Sequence, residues 1–64
     1  MEPPRPTVRF LRDMRILVVD DQPDLRDMLV ALLEQQGAEV VGCSSARQAF
    51  AEISGGGRFD AAIF

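Results

Sequence analysis

The chain has 64 residues, 47% hydrophobic and 27% charged, with a formal net charge of −3. That length holds at most one small domain, which buries only about 60% of the surface its unfolded chain exposes and ordinarily leans on disulfides, a structural metal or oligomerisation. One cysteine, Cys43, and no histidine exclude an internal disulfide, a His–Cys zinc site and a histidine-containing triad within this sequence.

All seven basic residues are arginine, which removes a P-loop or Schiff-base lysine. Residues 1–19 carry Arg5, Arg9, Arg12 and Arg15 against Glu2 and Asp13, a net of +2; residues 20–64 carry three arginines against eight acids, a net of −5. The acidic part disfavours non-specific nucleic-acid binding. No apolar run approaches the ~20 residues that cross a bilayer, so no membrane role is expected. A single thiol without a secretory signature predicts a cytoplasmic protein.

Residues 1–13 contain Pro3, Pro4 and Pro6 among scattered arginines and read as a flexible leader or linker. Phe10 and Leu11 are its one large apolar pair, able to pack on the domain or to end a connection from a preceding one. Residues 14–64 carry the fold. Arg15–Val19 is the first strand, and its run Ile16-Leu17-Val18-Val19 predicts burial on both faces, as in a parallel sheet. Pro23–Gln36 is the first helix. Proline suits the first helical turn, Asp24 and Asp27 sit near the positive end of the dipole, and Leu25, Met28, Leu29, Leu32 and Leu33 form one apolar stripe. Met28 reads as core packing, and Arg26 and Asp27 as the solvated side. Gly37 is placed to close the helix in the left-handed conformation.

Ala38–Gly42 is the second strand, and Cys43 after it reads as a small apolar filler. Ser45 and Gln48 have capping-box spacing ahead of a second helix over 46–53. Its buried stripe is Ala46, Ala49, Phe50 and Ile53, and Gly55–Gly57 ends it. Phe59–Phe64 is the third strand. The order β-α-β-α-β predicts an α/β fold with a parallel sheet and right-handed crossovers.

The chemistry sits where the first strand stops. Asp20 and Asp21 are adjacent carboxylates at the end of a buried strand. At about 4 Å and an effective dielectric near 20 they repel by roughly 4 kcal/mol, a penalty that a bound cation removes. Magnesium takes oxygen ligands, commonly one or two carboxylates completed by water and phosphate oxygens, and open α/β sheets bind ligands at the C-terminal ends of their strands. Asp20 and Asp21 are therefore the candidate Mg²⁺ ligands. The competing structural reading is that Asp21 caps the helix and Asp20 is a solvated loop acid. The same turn lacks G-x-G-x-x-G, against a dinucleotide fold, and Gln22 breaks the Asp-x-Asp of a haloacid-dehalogenase-like phosphatase.

The run Arg15-Ile-Leu-Val-Val-Asp-Asp-Gln-Pro-Asp-Leu-Arg, the stripe Leu25–Leu33, the Gly37 turn, the Ala-rich helix and Phe59-Asp60 together resemble the opening of a response-regulator receiver domain. The resemblance covers about Met14 to Phe64. It implies a flavodoxin-like sheet of order 2-1-3-4-5, cut here to the first three strands and two helices. It implies a non-enzymatic, phosphoacceptor signalling role, with a histidine kinase or phosphotransfer protein as partner of the full-length parent. Asp21 becomes a direct Mg²⁺ ligand and Asp20 acts largely through water. The acceptor aspartate of the family falls five residues after an acid placed like Asp60, which is the first position after Phe64. The catalytic site is therefore expected to be incomplete in this sequence, with the hydroxyl residue and lysine of the family lacking too. Asp60 is no substitute, being about 13 Å from Phe64 along a strand of 3.3 Å rise. A third strand left as an edge predicts self-association. The alternative function is a receiver-like dimerisation or docking module that is not phosphorylated.

Overall fold

A computed structural model describes residues 11–64. In chain order the elements are β1 (Arg15–Val19), α1 (Pro23–Gln35), β2 (Glu39–Cys43), α2 (Ala46–Ser54) and β3 (Ala61–Ile63). The three strands form one parallel sheet in the order β2-β1-β3. The chain is thus a small α/β domain with the expected β-α-β-α-β arrangement. Pro3, Pro4, Pro6, Arg5, Arg9 and Phe10 lie outside the described residues, whereas Arg12 and Asp13 lie within them. Leu11 packs against the core cluster, and its N–H donates to the Gln36 carbonyl at 3.0 Å.

β1 forms the centre because its sequence satisfies both faces. Ile16, Leu17 and Val18 are at most 3% exposed. Successive strand side chains point to opposite faces, and the packing follows that alternation. Leu17 and Val19 join Cys43 and Ala49 of α2 on one face, with Val41 and Phe59 against them. Ile16 and Val18 join Ala38 on the other, under Leu29, Val30 and Leu33 of α1. The connection through α1 leads from β1 to one neighbour, and the connection through α2 leads back across to the other. With crossovers of one hand, that reversal puts the helices on opposite faces.

The helices depart from the predicted burial. The five-residue apolar stripe of α1 splits: Leu29 and Leu33 pack on the sheet with Val30, whereas Leu25, Met28 and Leu32 are exposed, Met28 by 52%. Met28 is therefore not core. A helix crossing a three-stranded sheet covers it with one row of side chains, and the adjacent row i, i+3, i+7 faces out. In α2 only Ala49 is buried, while Phe50 and Ile53 are 71% and 50% exposed. Small Ala49 is the residue that lets α2 approach β1. Gly37 adopts φ 97° after α1, the left-handed conformation that favours glycine.

Boundaries shift by small steps. β2 runs one residue later than predicted, making Cys43 its last residue, and β3 is limited to Ala61–Ile63. Ser45 caps α2, its Oγ accepting from the Gln48 N–H at 3.2 Å. The return bond of the capping box is moved by one residue, because Gln48 Oε1 accepts from the N–H and the hydroxyl of Ser44.

Arg15 and Asp60 fasten β3 to β1. The Asp60 N–H donates to the Arg15 carbonyl at 2.7 Å, and the Arg15 N–H donates to Asp60 Oδ2 at 2.8 Å. The Arg15 guanidinium lies over the Phe59 ring, 4.7 Å from its centroid, and its Nε is 3.5 Å from Glu39 Oε1. Asp60 thus has a structural task. Asp60→Ala is expected to lower stability by about 1 kcal/mol, the usual worth of such a hydrogen bond at an exposed site. An unchanged urea midpoint would show that the fastening contributes nothing.

Candidate metal centre

The β1–α1 turn is built by three backbone facts. The Asp20 N–H continues the parallel ladder, donating to the Cys43 carbonyl at 3.0 Å. Pro23 starts α1 three residues later, and Gln22 is the N-cap residue in extended conformation with no side-chain cap. Asp20 Oδ1 accepts from the Gln22 N–H at 2.8 Å, an Asx turn that carries the chain from strand to helix.

This settles what the two acids do locally. Asp21 does not cap α1, contrary to the competing reading; Asp20 makes the local bond from the position before it. Asp20 is half-buried and Asp21 exposed. Asp20 spends one lone pair on Gln22, leaving Oδ2 and both oxygens of Asp21 without a hydrogen bond to the described residues. Hard oxygen donors on an open turn suit Mg²⁺, which keeps several waters and takes few protein ligands. The donor set fits that ion as a partial shell. Among the described residues no group of three or more His, Cys, Asp or Glu residues is placed to hold a metal. Asp20 and Asp21 are the two residues here that could hold such an ion, with water completing its shell.

The position within the fold adds to this. β1 is flanked by β2 on one side and β3 on the other, so the order in which strands are added to the parallel sheet reverses at it. The acids therefore lie at the switch point of the sheet, outside the carboxyl end of the strand, where open α/β folds take their ligands. A separate cavity of about 420 Å³ opens between Ile53 and Phe59–Ala62. It lies toward the amino-terminal end of β1, where Asp60 is bonded to Arg15, and it does not include the acid pair.

Sequence reasoning missed Arg26. It was expected on the solvated side of α1, yet its Nη1 donates to the Asp20 carbonyl at 3.1 Å in a part-buried contact. A Cβ built on Gly42 would lie 3.4 Å from Arg26 Cδ, so the arginine stem crosses β2 over the one residue without a side chain. Gly42 two residues before the helix-opening serines was the available signal. Arg26 is also the cation felt by Cys43. Burial pushes that thiol above its ordinary range, Glu52 adds to the rise and Arg26 opposes it. Cys43 is 3% exposed, which bears out its reading as a filler.

Comparison with known proteins adds little about activity. No family model matches the chain, and no solved structure matches it significantly. Over 42 residues it is 49% identical to a protein of Leptolyngbya boryana named "Uncharacterized 14.6 kDa protein in sodA1 3'region". The match covers 66% of this chain and 32% of that protein. The chain thus spans about a third of the length of this relative. Among the described residues no helix is long and apolar enough to cross a membrane.

Proposed function

We propose that this chain is the opening portion of a response-regulator receiver domain, a phosphoacceptor signalling module of the cytoplasm. The observation that carries the reading is the placement of Asp20-Asp21 at the carboxyl end of the central strand in a β2-β1-β3 parallel sheet. In that role the pair would hold Mg²⁺, Asp21 directly and Asp20 through water, while Asp20 also shapes the turn. The ion would neutralise charge on an incoming phosphoryl group. The donor would be a histidine kinase or phosphotransfer protein, and the acceptor an aspartate directly following Phe64. Reading the coding sequence past Phe64 tests this. An aspartate codon at the next position, with a later Ser or Thr and Lys, is expected; a different residue there would remove the phosphoacceptor assignment.

A second reading is a docking or dimerisation module without phosphorylation. It is favoured by the exposure of Phe50, Ile63 and Phe64, the last by 78%. Under it, association runs through the β3 edge, and Ile63→Lys should raise the dimer dissociation constant about tenfold by placing a charge on that edge. Sedimentation velocity across a concentration series measures this. Equal association of the two proteins would exclude edge pairing.

A further inference from the structure

We propose that Arg26 is a positioning residue for the acid pair, locking the β1–α1 turn by binding the Asp20 carbonyl from the flank of α1. The proposal rests on the reading of Asp20 and Asp21 as a cation site. Its observations are independent of that reading. The parallel ladder between β1 and β2 pairs Val19 with Cys43, and the Asp20 N–H makes the next bond to the Cys43 carbonyl. The donor that would continue the ladder to the Asp20 carbonyl belongs to Ser45. Ser45 has instead turned away as the N-cap of α2. Arg26 Nη1 fills the gap at 3.1 Å. The Asp20 backbone is therefore held at both of its peptide groups: its N–H by β2 and its carbonyl by α1.

The route of the side chain is as specific as its end point. Arg26 begins on the second turn of α1 and reaches back over β2. Its Cγ and Cδ pass 3.5 and 3.4 Å from the place where a Gly42 side chain would begin, and Val30 Cγ2 is also 3.4 Å from it. A Cβ at 42 would sit in ordinary contact with that stem, and the γ-methyls of a valine there would crowd it. Among the described residues the ion pair is between Arg15 and Glu39, so the guanidinium of Arg26 is spent on a carbonyl and not on the acids it stands beside. It fixes the turn while leaving carboxylate oxygens for a cation.

The sign of the effect separates this role from its rivals. If Arg26 were merely a positive charge near the site, removing it would tighten Mg²⁺ binding. If its role were confined to general stability, affinity would stay constant. If it positions the pair, removing it weakens binding, by about tenfold, as loss of an outer-shell partner typically does.

The experiment is a Mg²⁺ titration of the full chain and of Arg26→Met, Arg26→Lys and Gly42→Val, followed by backbone amide chemical shifts. Arg26→Met keeps the apolar stem and is expected to weaken binding about tenfold, with partial recovery in Arg26→Lys. Gly42→Val displaces the stem without altering Arg26 and should reproduce the loss. In the metal-free proteins, hydrogen exchange of Asp20 and Gln22, whose N–H groups are bonded to the Cys43 carbonyl and to Asp20 Oδ1, should quicken in Arg26→Met while Leu17 and Val18 stay protected. Unchanged or tighter Mg²⁺ binding in Arg26→Met would overturn the proposal, as would an unaltered exchange rate in the turn. Asp21→Asn serves as the control: if it binds Mg²⁺ like the parent, the cation-site reading fails, whatever Arg26 does. The exchange measurement still judges the lock on the turn in that case.

Discussion

Leu17→Ala is expected to leave most of the protein unfolded in water at 25 °C. Leu17 is fully buried at the middle of the central strand, pairing with Val41 on one side and Ala62 on the other. Truncating a buried leucine costs about 2–5 kcal/mol, the transfer free energy of the lost atoms plus the cavity left behind. Stability near 0.1 kcal/mol per residue puts the whole of a domain this size at roughly 5 kcal/mol. The two figures are comparable, so one substitution is enough. The core is small: among the described residues seven apolar ones are buried, four of them from β1. Far-UV circular dichroism against urea reads the outcome directly. A variant that kept a cooperative transition with a loss under about 1 kcal/mol would mean that the β1 core is not what holds the sheet. Met28→Ala, at a position 52% exposed, is the matched comparison and should change little, although the apolar pattern of α1 ranks the two residues together.

That contrast marks what was legible before the structure. A continuous apolar run, β-branched at three of its four positions and stopped by two acids, identified β1 and its carboxyl end, because both-face burial leaves a sequence with no alternation to misread. Pro23 and Gly37 bounded α1 for local reasons, the proline at the first turn and the glycine at φ 97°. Which apolar row of α1 faces the sheet was not legible. It depends on where β2 lies, and periodicity alone gives equal weight to Met28 and Leu29. The same holds for Phe50 and Ile53, whose apolar side chains predict burial that a three-stranded sheet has no area to supply.

The site divides in the same way. The acid pair is visible in the sequence as two adjacent carboxylates at the end of an apolar run. The local roles of its members did not, because an Asx turn and a cap look alike at this spacing, and Asp20 takes the bond that Asp21 was a candidate for. Arg26 was invisible for a different reason. Its partner is a carbonyl, which every residue has, and its path depends on Gly42 sixteen positions away in sequence. The structural task of Asp60 was equally hidden, because its bonds to Arg15 join residues 45 apart and have no local trace.

The account turns on whether the carboxyl end of β1 binds a divalent cation through Asp21. A Mg²⁺ titration of the protein and of Asp21→Asn, followed by backbone amide shifts, tests it most directly. Asparagine keeps the size of the side chain and one carbonyl oxygen while removing the charge that draws a hard cation. Asp21 is exposed and makes no hydrogen bond that supports the turn among the described residues, so the variant should fold as the parent does. The account predicts saturable shifts over Asp20–Gln22 in the millimolar range for the parent and none for Asp21→Asn, with the remaining amides of the two proteins superimposable. Equal titration of both proteins, or no response from either, would contradict it.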